Sequence, residues 1–321
     1  MPKSRIALAI FIAILAVSTA SIFIKLAQKD APSLVIAAVR LSLASLILLP
    51  AAFHSASNRA QLKNLTRGDW ILAILSGLFL SIHFAAWITS LEYTTVVASV
   101  VLVSTGPLWV ALLSPIFLKE LPSRWVWMGM LLALTGGITV GLSDSCALTG
   151  TGLACPPLSD LMAGSAFLGN FLALLGALTV AGYLIIGRRL RAKLDLVPYV
   201  FVVYSVAAIA LTIYMLIAGQ SPLGYPPLTY AWMLALALIP QLIGHSTYNW
   251  ALRYMPASLV SVTTLGEPIG SAILALFILG ETPGILTLLG GVFILAGIYL
   301  STKADNRAAT PSPGRTPAGD G

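Results

Sequence analysis

Ionisable side chains are scarce within the long apolar stretches of this sequence; those present are Lys25, Arg40, His83, His245 and Glu267. A charge held in hydrocarbon is costly, so each of them is a candidate for a working role. Glu267 stands in LGEPIG, directly before Pro268. A carboxylate there can pair with Arg40, or it can carry a proton through a reaction cycle; tying two helices together is the plainer alternative. Pro268 frees a carbonyl about one turn earlier and predicts a mid-helix kink beside Glu267 that opens a polar pocket. Arg40 falls roughly 12 Å into its helix at about 1.5 Å per residue, too deep for easy snorkelling, and therefore needs an acceptor. Lys25, near a helix end with Asp30 close by, reads as an interfacial anchor or a salt-bridge partner of Asp30.

His83 in SIHFAAW and His245 in IGHSTYNW carry similar surroundings. Trp87 lies one turn beyond the first, and Tyr248, Asn249 and Trp250 follow the second, so aromatic surfaces accompany both imidazoles. Aromatic walls with a few hydrogen-bonding groups describe a pocket for a small amphipathic solute, although ordinary packing uses the same rings. Gln241, Tyr183 and Asn170 are weaker candidates of that kind. Gly106, Pro107 and Pro268 predict flexible or kinked points suited to hinges. Gly137 with Gly141, and Gly266 with Gly270, have the small-xxx-small spacing of close helix packing. No catalytic constellation is visible: there is no HExxH, no aspartate pair and no nucleophile with a base. No metal site, cofactor site or P-loop is expected either, which excludes ATP-driven work by this chain alone.

The elements that must hold these groups follow from composition. Of 321 residues, 58% are hydrophobic and only 9% charged, and the mean hydropathy is +0.94. Soluble domains carry roughly 25% charged residues, so the inventory cannot build a water-facing surface. A disulfide scaffold, a disordered chain and a nucleic-acid binder are excluded on the same ground. A bilayer core about 30 Å thick takes roughly 20 apolar residues per helix. Such stretches recur at 5–27, 32–53, 70–91, 95–118, 125–143, 166–187, 197–218, 228–250, 258–280 and 285–302. The expected fold class is therefore an all-α integral membrane protein with ten transmembrane helices. The first stretch has a basic start like a signal peptide, but it is long enough to span and reads as a helix of the fold.

Placing the N-terminus in the cytoplasm puts 15 of the 18 Lys and Arg residues on that side, including Arg59, Arg188, Arg191, Lys193 and Arg253. Both termini are then cytoplasmic in a multi-pass inner-membrane protein. The net charge of +7 follows topology rather than polyanion binding. The last stretch, 303–321, reads as a disordered tail. Cys146 and Cys155 share the longest outside loop, 144–165, where an oxidising space permits a disulfide.

Shifting the sequence against itself by 161 residues superposes Tyr93 on Tyr254, Pro107 on Pro268, Glu120 on Glu281, Pro122 on Pro283, Gly129 on Gly290 and Gly136 on Gly297. His83 falls within one residue of His245. Five helices per half is an odd number, so the second half enters the membrane from the opposite side. The fold expectation becomes two inverted five-helix repeats, 1–143 and 166–302, with a site at the midplane between them.

With SLEYTTVVASVVLVSTGPLWVALLSPIFLKE in one half and ALRYMPASLVSVTTLGEPIGSAILALFILGE in the other, the chain resembles the EamA-type members of the drug/metabolite transporter superfamily. The resemblance spans about 5–302. It implies an inner-membrane carrier exporting amino acids or related small metabolites by alternating access, surrounded by lipid. Where such proteins often carry Trp-Gly early in the first helix, this chain has Val17-Ser18. The expected partners are a small-molecule solute, with protons as the coupling ion and room for a homodimer. Uptake or exchange of nucleoside-type or phosphorylated solutes is the alternative, and a membrane-embedded enzyme the reading from another class.

Overall fold

Val, Ile, Leu and Ala dominate the long stretches, and in lipid a backbone must satisfy its own hydrogen bonds, which a helix does residue by residue. The computed structural model describes residues 3–118, 124–143, 146–150, 152–157 and 164–308, and these are almost wholly helical. Among the described residues eight helices are long and apolar enough to cross a membrane: Ser4–Ala27, Ser33–His54, Arg67–Tyr93, Val96–Phe117, Ser165–Arg191, Leu196–Ile217, Pro227–Ala251 and Val260–Leu279. Two shorter apolar stretches, Trp127–Val140 and Ile285–Gly297, lie within the helices Arg124–Ser143 and Ile285–Ala308. The latter helix runs past Lys303, where a tail was expected to begin, and 309–321 lies outside the described residues.

Local signals set the boundaries. Thr66 and Asp69 form a reciprocal capping box that starts Arg67–Tyr93, and the Thr95 side chain caps Val96–Val103. Ser55 caps a short polar helix, Ala56–Lys63, that hydropathy alone does not reveal. Between the two halves, Ala147–Thr149 and Gly152–Ala154 pair as an antiparallel hairpin, and a disulfide joins Cys146 to Cys155 across its base.

Several spans are interrupted. The fourth stretch breaks at Ser104–Thr105 into Val96–Val103 and Gly106–Leu118, and the ninth breaks at Thr264–Leu265 into Ala257–Thr263 and Gly266–Leu274. The interruption at Thr264–Leu265 falls about one turn before Pro268, at the carbonyl that a proline there leaves without an N–H partner. Pro107 and Pro268 each stand in the first turn of a new helical piece, where the missing N–H has no intrahelical partner to lose. Ala237–His245 is wound as a π-helix around Pro240. π turns of this kind are frequent at functional sites, and this one carries Gln241 and His245.

The helices pack in reciprocal pairs. Arg67–Tyr93 lies against Ser165–Arg191, as Lys3–Ser18 lies against Ala237–His245. Ser33–His54 packs on Leu196–Ile217, and Arg124–Ser143 on Ile285–Ala308. At the last crossing the glycines interlock. A Cβ placed on Gly136 would come 2.5 Å from the Gly290 carbonyl, one on Gly290 would come 2.6 Å from the Gly136 carbonyl, and one on Gly297 would strike the Gly129 carbonyl. Early residues of one helix meet late residues of the other, so the two run antiparallel. Gly129 and Gly136 form the small-residue face of this crossing, while Gly137 has only Leu102 nearby, at 3.9 Å. Gly266 and Gly270 do serve packing, against Ile14 and Ser18 of the first helix, while Gly244 meets Val17. Small side chains at 17 and 18 permit that crossing. Large apolar side chains such as Leu131 (66% exposed), Ile138 (65%) and Phe277 (81%) face outward, as a lipid-solvated exterior requires.

Candidate functional site

The interrupted helices and the π-helix converge on one cavity of about 60 Å³. His83 and Trp87 reach it from Arg67–Tyr93, Ser104, Gly106 and Pro107 from the broken fourth stretch, and Tyr183 from Ser165–Arg191. His245, Tyr248 and Glu267 come from the second half. Eight of the residues singled out from sequence therefore meet in one place. The volume suits a few water molecules, whereas pockets for metabolites span roughly 300–1,000 Å³, so the cavity must widen to admit one.

The walls carry a defined set of donors and acceptors. His83 donates Nδ1–H to the Gly176 carbonyl at 2.8 Å, which leaves Nε2 as an acceptor. Its ring stacks on Trp87 at 5.9 Å between centroids and faces His245 at 6.4 Å. The Trp87 Nε1–H and the Tyr248 hydroxyl are buried without a hydrogen-bond partner. Glu267 occupies the first turn of Gly266–Leu274, where the helix dipole favours a carboxylate. Among the described residues it is the one acid on the cavity wall.

Arg40, Gln241 and Asn249 stand behind this wall. Arg40 is fully buried; its Nε donates to Gln241 Oε1 at 3.0 Å and its guanidinium lies 4.2 Å over the Phe84 ring. Its two Nη atoms have no partner. Among the described residues Arg40 and Glu267 make no direct ion pair, although their charges act on each other through space. Asn249 Nδ2 bridges the hydroxyls of Tyr183 and Tyr204 and the His245 carbonyl, and Tyr204 reaches Ser246 at 3.2 Å. This network fixes the π-helix and the strip of cavity wall it carries. Trp250 is not on the wall; it packs on Tyr254 at 5.0 Å. Pro268 is buried beside Glu267 without reaching the cavity.

Sequence reading missed Ser104, Ser261, Thr264 and Phe84. Ser104 and Thr264 had a visible signal: STGP and TTLGEP each place hydroxyl residues ahead of a glycine and proline, where the helices break.

Polar ties close both ends of the bundle. At one end Lys193 pairs with Asp69 at 2.7 Å, Arg253 pairs with Asp195, and Gln61 donates to Asp195 at 2.7 Å. The hydrogen bonds from Gln61 and Arg253 hold the Asp195 carboxyl below its ordinary range. At the other end Ser33 binds Glu92, Thr229 donates to Asp30 at 2.6 Å, and the Val96 N–H donates to Glu281 at 2.8 Å. Asp30 thus bonds Thr229, and no ion pair to Lys25 occurs among the described residues. Glu120, the repeat mate of Glu281, lies outside them.

A model of the EamA-like transporter family matches residues 4–142 and again 167–303. The chain belongs to the EamA-like transporter family. Two proteins of Archaeoglobus fulgidus, each named an uncharacterized transporter, are similar to it: one is 24% identical over 89% of this chain and 93% of its own length, the other 23% identical over 92% and 95%. A Bacillus subtilis protein, the uncharacterized transporter YdfC, is 24% identical over 71% of each chain. A protein crystal structure superposes with a TM-score of 0.65 at 18% identity, covering 96% of this chain and 100% of the other, which is a likeness of fold. This EamA-like chain is a multi-pass membrane transporter, with lipid around it and a small-molecule solute as cargo.

Proposed function

We propose that the chain is a ten-span secondary carrier, two five-helix halves of opposite orientation that open one central cavity to each side of the membrane in turn. The observation that carries this is the cavity itself, lined by both halves at the points where paired helices break. The reciprocal glycine contacts between antiparallel Arg124–Ser143 and Ile285–Ala308 support it. Repeat mates exchange places there (Gly129 with Gly297, Gly136 with Gly290), as an axis lying in the membrane plane requires. Rocking about such an axis breaks the ties at one end of the bundle and keeps those at the other.

The cargo is a small amphipathic metabolite, an amino acid or a relative, moved outward with both termini cytoplasmic. Aromatic walls receive its apolar part, while Trp87, Tyr248 and His83 offer hydrogen bonds. Glu267 takes up and releases the coupling proton as the cavity changes sides. The test is counterflow in proteoliposomes: vesicles preloaded with one amino acid at a time should accelerate uptake of its labelled form, and Glu267→Gln should abolish or uncouple that flux while the protein stays folded. Discrete conductance steps in planar bilayers would instead indicate a channel. Unchanged flux with unchanged pH dependence in Glu267→Gln would remove that residue from the mechanism.

A further inference from the structure

We infer that Arg40 anchors a carboxylate of the transported solute, so that carboxylate-bearing molecules are the preferred cargo; this rests on the carrier reading above. A guanidinium removed from water needs an anion or a full set of acceptors. Arg40 is 0% exposed, only Nε is bonded, Nη1 and Nη2 are without a partner, and Glu267, the acid whose charge acts on it through space, makes no direct contact with it. Among the described residues no carboxylate comes within ion-pair distance of it. An arginine serving packing alone would leave two charged donors wasted in the driest part of the molecule.

The group is also held ready for a planar anion. Gln241 fixes Nε from the π-helix, and the ring of Phe84 supports the guanidinium face at 4.2 Å. The plane is therefore set and the two Nη atoms stand as a fork, the geometry that receives a carboxylate in two parallel hydrogen bonds. The ring that carries the guanidinium also touches the cavity wall. Phe84 packs edge-on against His83 at 4.8 Å and against His245 at 5.3 Å, and both imidazoles line the cavity. Any solute larger than a few waters must widen the cavity, and a shift of the Phe84 ring then joins it to Arg40 while Gln241 keeps hold of Nε. Among the described residues no Lys or Arg lines the cavity itself. A single guanidinium matches one carboxylate better than a doubly charged phosphate, which calls for several bases.

The test uses purified full-length protein and three probes of one shape: leucine, leucinamide and 4-methylpentanoate. Thermal melts are recorded for the wild type, Arg40→Lys and Arg40→Gln. Leucine and 4-methylpentanoate should stabilise the wild type by mass action, and leucinamide should not. Arg40→Gln should weaken the apparent affinity for both acids by about tenfold or more, with Arg40→Lys intermediate because an ammonium lacks the fork. Without probe, Arg40→Gln should melt no lower than the wild type, since it removes an unpaired buried charge; a purely structural arginine would give the opposite shift. Leucinamide matching leucine, no stabilisation by either acid, or full acid affinity in Arg40→Gln would each overturn the proposal. If Arg40→Gln does not fold, the wild-type comparison of acid with amide decides. Counterflow of solutes irrespective of a carboxylate would discard the anchor and leave the carrier standing. Acid-selective stabilisation without counterflow of any solute would do the reverse.

Discussion

Gly136→Ala tests the helix crossing on which the two halves are proposed to turn. The new Cβ would lie 2.5 Å from the Gly290 carbonyl oxygen and 2.8 Å from the Ile294 amide nitrogen. Both are backbone atoms, so no rotamer change relieves the clash and the helices must part. Overpacking of this kind costs about 1–3 kcal/mol, offset by at most ~1 kcal/mol from the better helix propensity of alanine. Gly137→Ala, one residue on, is the internal control. Its Cβ would find only Leu102 Cδ2 at 3.9 Å, an ordinary contact, so the variant should be neutral or up to ~1 kcal/mol more stable. Gly290→Ala should resemble Gly136→Ala, and the double variant should cost less than the sum because both part the same pair of helices. Unfolding of detergent-solubilised protein, followed by tryptophan fluorescence, measures all four. Equal stability of Gly136→Ala and Gly137→Ala would refute the reasoning.

Other outcomes follow from the same geometry. Asp195 titrates below its unfolded value, so its ties to Gln61 and Arg253 contribute fully above the ordinary carboxylate range and are lost as pH falls through its lowered pKa. The difference in melting temperature between wild type and Asp195→Asn should therefore be constant from neutral pH to about pH 5 and vanish in stronger acid. Because the Asp195–Arg253 pair is half exposed, that difference should correspond to no more than about 1 kcal/mol; a growing difference in acid would contradict it. Intact protein should take up alkylating reagent at Cys146 and Cys155 only after reduction, read by mass; reaction of both thiols without reductant would contradict the disulfide. Trp87→Phe should keep the stacking on His83 but lose the indole donor, lowering solute affinity more than stability. Equal losses in both would assign Trp87 to packing.

The long apolar stretches were legible because a span must be continuous and hydrophobic, and the helix limits fall close to those read from hydropathy. The convergence of His83, His245 and Glu267 was legible for a different reason. Ionisable groups in hydrocarbon are too costly to keep without a purpose, and His83 and His245 hold near-matching places in the two stretches that the family model matches. Less could be read where geometry rather than composition decides. Pro268 suggested an interruption about one turn earlier, and the helix does break at Thr264–Leu265, but the sequence did not show that the chain would restart there as a separate helical piece. The π winding at Pro240 leaves no mark in residue type beyond the proline. Ala56–Lys63 is polar and short, so its existence depends on the Ser55 cap and on Gln61 reaching Asp195. Arg40 invited a partner in Glu267, yet the partner of its Nε is Gln241, because the π-helix turns that side chain toward it.

Ser104→Cys tests the central claim most directly, because position 104 lines the cavity and the two native cysteines are bonded to each other. A membrane-impermeant thiol reagent would be applied to sealed vesicles of defined orientation, from the outside in one experiment and from the lumen in another. Alternating access predicts labelling from either compartment, with neither reagent crossing to the far side. Labelling from one compartment alone, under every solute and pH condition that supports flux, would contradict it.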